Sequence, residues 1–289
     1  MAGKRKRNKA NAARRALVWM LVCALLLTGA VLAVSALRRY LAARQLRQEA
    51  ADAGIWKYSA DIPRSPYLHD GFSVDEAGRV HYEDDTFYAE TGIDVSVHQG
   101  EIDWSAAAAD GISFAIVQAG YRGYQDGGLG EDTTFRTNLA GAQAAGLETG
   151  VYFFSQAVNT QEAEEEAAYV LSLLQGMTID LPVFYDWEPV DAESARTQGV
   201  DGETVTACAK AFCTAVEAGG YEAGVYFSQN LVYTTVELAE LLEYPLWMAQ
   251  YAQEPDFFYD FAWWQYTDSG TVAGISAPVD LDLRFVRKG

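Results

Sequence analysis

The chain has 289 residues, half of them hydrophobic and 13% aromatic, which supplies a large core and excludes a disordered chain. Its formal net charge is -19, unevenly spread: 11 of the 21 Lys and Arg fall in the first 47 residues, which hold no acid, leaving 10 basic against 40 acidic residues from position 48 onward. A body this acidic excludes phosphate-backbone binding, so no nucleic-acid partner is expected, and three cysteines are too few for a disulfide scaffold.

Residues 1–15 form a basic tail, and residues 16–37 carry no charge. Twenty-two helical residues rise about 33 Å, enough to cross a hydrocarbon core of about 30 Å. The reading is a single-pass, uncleaved signal anchor with a cytoplasmic N-terminus and the body outside the cell membrane. Residues 38–90 read as a stalk and linker. The first part, to residue 53, is rich in Ala, Arg, Gln and Leu and extends the helix to Gly54. Phe72–Val74 and Arg79–Tyr82, joined by Asp75-Glu76-Ala77-Gly78, then form a short hairpin. His69 and His81 have no metal-ligand spacing and are surface residues.

From residue 91 to 289 strand and helix alternate. Strands are expected over 93–97, 114–119, 150–154, 181–188, 222–228, 245–251, 261–267 and 279–286. Helices are expected over 103–110, 133–145, 160–175 with Thr160 as N-cap, 203–218 and around 230–242. The fold class is α/β: a closed barrel of eight strands and fewer than eight helices, preceded by one transmembrane helix and a stalk. In such a barrel the chemistry belongs at the C-terminal ends of the strands.

Carboxylates occur at those ends. Asp186 and Glu188 are two residues apart at the end of the fourth strand, on one side, with Cα atoms roughly 6.5–7 Å apart. Acids in an apolar strand are costly unless solvated, paired or used. Their mutual repulsion and burial raise a pKa, which gives a carboxylic acid able to protonate a glycosidic oxygen. Asp94 lies in the first strand, and Asp280 and Asp282 lie in the last, which closes beside it. Several aromatic residues near the strand ends suit sugar faces: Tyr121, Tyr152, Phe154, Trp187, Tyr226, Tyr251 and Trp264. No zinc, nucleotide or nucleophilic-serine motif is present, so neither metal nor cofactor is expected. Cys208 and Cys213 read as packing residues.

The run Gly92-Ile93-Asp94-Val95-Ser96-Val97-His98-Gln99-Gly100 resembles the opening of the glycoside hydrolase family 25 lysozymes. The resemblance continues through Phe114–Tyr121, Gly150–Phe154, Tyr185-Asp186-Trp187-Glu188, Gly224-Val225-Tyr226, Leu246–Tyr251, Trp264-Gln265-Tyr266 and Val279–Asp282. It implies a TIM-like flattened barrel that cleaves the β-1,4 bond from N-acetylmuramic acid to N-acetylglucosamine, with peptidoglycan strands as the partner. It also implies Glu188 as proton donor, Asp186 as its partner, Asp94 and Asp280 as further active-site acids, and Gln250 and Asp282 among the substrate contacts. Inversion and substrate-assisted retention both stay open.

Three rivals differ in kind, the first a membrane-tethered scaffold acting through the acidic run Glu162-Ala163-Glu164-Glu165-Glu166, which reads better as one solvated helix face. Asp186-Trp187-Glu188-Pro189 also resembles the family 18 chitinase signature, but Phe184 and Leu181 stand where that signature has acids. A non-catalytic wall-binding module on the same fold is the third, and retention of all the acids argues against it.

Overall fold

The computed structural model describes residues 32–289, which divide into two compact units at Gly54 and Ile55. In the first unit, residues 32–52 form helix α1, as the Ala/Arg/Gln-rich composition predicts. Most of the transmembrane segment expected over 16–37 lies outside the described residues. Among those described, no helix is long and apolar enough to cross a membrane.

In the second unit, apolar runs bounded by turns become the eight staves of a closed barrel: β3 (Phe87–Val95), β4 (Phe114–Arg122), β6 (Glu148–Ser155), β7 (Val183–Trp187), β8 (Ala223–Ser228), β9 (Leu246–Ala249), β10 (Trp263–Gly270) and β11 (Val279–Arg287). A short strand β5 (Leu129–Glu131) folds back on β4 as a hairpin. From β3 through β4, β6, β7, β8 and β9 to β10 every pairing is parallel, whereas β11 runs antiparallel to both β10 and β3. Parallel neighbours need a long crossover, which α2 (Trp104–Ala109), α3 (Phe135–Ala144), α4 (Thr160–Leu173), α5 (Gly202–Ala218) and α6 (Gln229–Thr234) help to supply. The antiparallel β10–β11 return needs none, and the parallel β9–β10 crossover, residues 250–262, is made without a helix. The N-cap of α4 is Asn159, not the expected Thr160: the Asn159 side chain accepts from Glu162 N at 3.0 Å.

The reversal of β11 decides the site. Its first residues, rather than its last, lie at the C-terminal mouth of the barrel, so Asp280 pairs in register with Asp94. Large rings fill the interior, including Phe114, Phe184, Trp247 and Trp263. They fit because two staves carry glycine where the rings press. A Cβ on Gly92 would stand 2.1 Å from the Phe114 ring, and one on Gly224 would stand 2.5 Å from the Phe184 ring. At the opposite end, the Arg284 guanidinium lies 5.7 Å from the Phe114 centroid and 5.5 Å from that of Trp263. There it pairs with Glu90 and Glu148.

The segment expected to be linker is not a spacer beyond Gly54. Residues 55–90 belong to the barrel unit, and β3 itself starts at Phe87. The Tyr67 ring stacks on Phe285 with centroids 3.9 Å apart, and its hydroxyl donates to the Phe261 carbonyl at 2.6 Å. The expected hairpin is present as β1 (Phe72–Val74) and β2 (Val80–Tyr82), with Phe72 edge-on to Trp264 at 5.8 Å.

Candidate active site

The alternation of a strand puts every second residue inside the barrel. On β7 this brings Phe184 and then Asp186 inward, with Glu188 just past the strand end. Asp186 and Glu188 line a cavity of about 390 Å³ at the mouth with Ser96, Val97, His98, Gln118, Tyr121, Asp132, Tyr152 and Phe154. Asp94 and Asp280 face each other across the β3–β11 pair beside it. Four acids predicted as catalytic, from three separate strands, therefore meet at one mouth.

Their electrostatics follow from burial without compensation. Among the described residues, none of the ion pairs involves Asp94, Asp186, Glu188, Asp280 or Asp282. Burial pushes the Asp186 carboxyl well above its ordinary range, and the neighbouring Glu188 charge adds to the rise. Glu188 is raised by burial too, opposed in part by the nearby Tyr226 hydroxyl. Asp94 is raised well above the usual value by burial and then by the charges of Asp280 and Asp282. Asp280 is pushed up to about 6, by burial first and by Asp268 next. Each of these carboxyl groups gives up its proton less readily than an ordinary acid, which is the shift an acid catalyst needs.

A polar relay that the sequence did not single out ties Asp94 to two tyrosines at the mouth. Gln265 Nε2 donates to Asp94 Oδ2 at 2.7 Å, while Gln265 Oε1 accepts from the Tyr226 hydroxyl at 2.9 Å and from the Tyr251 hydroxyl at 3.3 Å. Gln265 thereby joins Asp94 of the first strand to the Tyr226 and Tyr251 hydroxyls beside the mouth. Gln265 stands inside the Trp-Gln-Tyr run already noted. An amide in an apolar strand was the available signal. Gln156 is the second unforeseen residue: fully buried, it donates from Nε2 to the Glu188 carbonyl at 2.7 Å. It is held by Thr197 Oγ1 donating to its Oε1 at 3.2 Å, and Arg196 Nη1 donates to its carbonyl at 3.0 Å. Nothing in local sequence marks a side chain that fixes a backbone 32 residues away. Asp132 accepts from Val97 N at 2.9 Å and so positions the loop that carries His98.

The expected sugar contacts divide. Tyr121 and Tyr251 are 44% and 56% exposed, and Tyr121, Tyr152 and Phe154 line the cavity. Tyr226 is buried and acts through its hydroxyl. Trp187 and Trp264 offer no face to a sugar. Both are buried, with the Trp187 indole donating to the Ala157 carbonyl at 3.1 Å and that of Trp264 to the Gln250 carbonyl at 2.8 Å. Their rings complete the packing behind the site. The Gln250 side chain is tied to Asp256. Asp282 lies one inward-facing step deeper than Asp280, fully buried, accepting from Trp247 Nε1 at 2.9 Å. Cys208 and Cys213 are buried packing residues, as expected. Among the described residues, no group of three or more His, Cys, Asp or Glu is arranged to hold a metal.

Fold and site together define an α/β-barrel protein with an acid-lined cleft at the C-terminal ends of its strands. The chain belongs to the glycosyl hydrolases family 25, whose family model matches residues 93–275. It is 27% identical over 192 residues to the autolytic lysozyme of Clostridium acetobutylicum, covering 66% of this chain and 54% of that protein. It is 28% identical over 199 residues to lysozyme M1 of Streptomyces globisporus, covering 65% of each. The chain thus spans less than two thirds of the length of these relatives. Among solved structures, the modular autolysin LytC of Streptococcus pneumoniae, in complex with a synthetic peptidoglycan ligand, superposes with a TM-score of 0.60 at 26% identity. That match covers 75% of this chain and 52% of LytC.

Proposed function

We propose that the protein is a peptidoglycan hydrolase, an N-acetylmuramidase that cleaves the β-1,4 bond between N-acetylmuramic acid and N-acetylglucosamine. The observation that carries this reading is the pair Asp186 and Glu188 in the floor of the cleft, both protonated more readily than ordinary carboxylic acids. The lysozyme relatives and the peptidoglycan complex of LytC support the substrate class.

In this reading Glu188 gives its proton to the bridging oxygen as the bond from the muramic acid C1 breaks. Asp94 and Asp280, across the mouth, stabilise positive charge developing on the ring when ionised. Asp186 has one buried oxygen, Oδ1, without a hydrogen-bond partner. Asp186 also lines the cavity beside Glu188, where its carboxyl group suits the N–H of the substrate's acetamido group, whose carbonyl oxygen would attack C1 in a retaining reaction. Water then opens the cyclic intermediate, losing a proton to the Glu188 carboxylate. Residues 16–37 are read as the membrane anchor that holds the barrel at the wall, and protease added to intact protoplasts should remove the body.

Digestion of purified sacculi with residues 55–289, followed by mass spectrometry of the released muropeptides, tests the main reading. Reducing ends on muramic acid are expected, with the β-anomer forming first by NMR. Reducing ends on glucosamine, as from a chitinase-like cut, or no release at all, reject it.

A further inference from the structure

The family-matched region begins at residue 93, yet a cleft wall precedes it. The β1–β2 hairpin stands against the rim of the barrel and encloses, with the ends of β9 and β10, a second pocket of about 430 Å³. Its walls include Ala77 and Arg79 from the hairpin and Tyr251, Thr267, Asp268 and Ser269 from the barrel. The volume lies in the range of small-ligand sites.

The hairpin is held firmly. The Arg79 guanidinium pairs with the Asp110 carboxylate and donates to the Thr271 carbonyl at 3.2 Å. Tyr82 is 3% exposed and packs on Phe72 and Phe285. In the turn, Asp75 Oδ1 accepts from Ala77 N and Arg79 N, each at 2.9 Å.

The pocket also adjoins the catalytic acids. Tyr251 belongs to its wall and donates to Gln265, the residue that bridges Asp94 and Tyr226. The Tyr251 hydroxyl therefore stands between the pocket and Asp94, joined to that acid through Gln265. The mouth cavity opens among β3, β4, β6 and β7, whereas this pocket opens among β9, β10 and β11. A polymer crossing the mouth would leave sugars on both sides of Glu188.

We propose that the hairpin-walled pocket is a glycan subsite that holds an uncharged N-acetylated hexosamine of the strand beyond the cleaved bond. This rests on the muramidase reading and extends it. The exposed Tyr251 ring offers a face to the sugar's C–H groups, and Thr267, Ser269 and the Asp268 carboxylate offer partners to its hydroxyls. Among the described residues, the only cation in the wall, Arg79, is already paired, so an anionic stem peptide finds Asp268 and no free positive charge there.

The test uses peptide-free glycan strands of graded length. With wild-type protein, kcat/KM should rise with length until the pocket is filled. Ala77→Trp, on the hairpin, and Ser269→Trp, on the facing wall, are both at exposed positions and should fold, as circular dichroism will check. Each should lose most of that rise, several-fold on the longest strands and through KM. If both folded variants keep the wild-type length dependence, the pocket has no such role. A loss confined to strands carrying stem peptides makes the peptide the occupant and overturns the sugar assignment. Wild-type protein that cleaves no strand of any length rejects the muramidase reading itself.

Discussion

The two ends of the barrel carry charge on opposite terms. At the bottom, Arg284 lies between Glu90 and Glu148 under two aromatic rings, with Arg284 Nε donating to Glu90 at 2.7 Å. At the mouth, five carboxyl groups gather with no ion-pair partner among the described residues; Gln265 donates to Asp94 and Trp247 to Asp282. A buried charge with a partner stabilises its position, whereas removal of that partner is costly. Buried acids without a cation instead hold their protons, at a cost in stability that proteins accept where the protons are used. The same interior thus serves as a plug at one end and as an acid reservoir at the other.

The largest expected effect comes from removing the reservoir's donor. Glu188→Gln keeps shape and hydrogen bonding but has no proton to give, so turnover of sacculi should fall at least about 100-fold. Its thermal midpoint should stay near wild type. The high-pH limb of the wild-type rate profile, where Glu188 ionises, should be missing from any residual activity. Near-normal turnover in the folded variant would falsify the assignment.

Breaking the plug should act on stability instead. Arg284→Met leaves Glu90 without its cation, and hydrogen bonds to charged groups are worth about 1.5–3 kcal/mol each. Glu148 is half exposed and adds little. The thermal midpoint should fall by several degrees, read by calorimetry. An unchanged midpoint would remove the contrast drawn between the two ends.

The mouth should respond in the opposite sense. Asp280 is raised from 3.8 to about 6 on folding, so the folded state binds its proton more tightly than the unfolded chain does. That contribution to stability is complete below about pH 4 and is lost as pH rises through 6. Asp280→Asn should therefore raise the thermal midpoint at pH 7 relative to wild type and change it little at pH 4, while lowering turnover. A destabilised variant at pH 7 would mean that the carboxylate is compensated after all.

The smallest loss of activity is expected from Asp282→Asn. Its carboxyl is enclosed and held by Trp247, one step beneath the substrate-facing layer, so turnover should drop less than in Asp280→Asn. A larger drop would shift the acid assignment inward.

Much of this contrast was legible before the fold was known. Period-two alternation placed Asp186 and Glu188 on one side of a strand, and the strand count closed the barrel between Asp94 and Asp280. The tryptophans show where such reading stops. Trp187 and Trp264 have the residue type of a sugar platform, but only neighbouring elements decide which face of a ring stays open, and here Ala157 and Gln250 accept their indole protons. Gln156 and Gln265 were passed over because an amide announces nothing until its partners, from distant parts of the chain, are in place.

Sequence alone determined the local physics: the helix-forming composition after residue 37, the strand–helix alternation, the hairpin at 72–82, and the costly acids at strand ends. Tertiary structure alone decided direction and company. The reversal of β11 carries Asp280 to the mouth and Arg284 to the bottom of the same strand. Packing joined residues 55–90, expected as linker, to the barrel unit. Local propensity depends on neighbours a few residues away, whereas the worth of a buried charge or ring depends on what lies within a few ångströms, and that is known only once the barrel has closed.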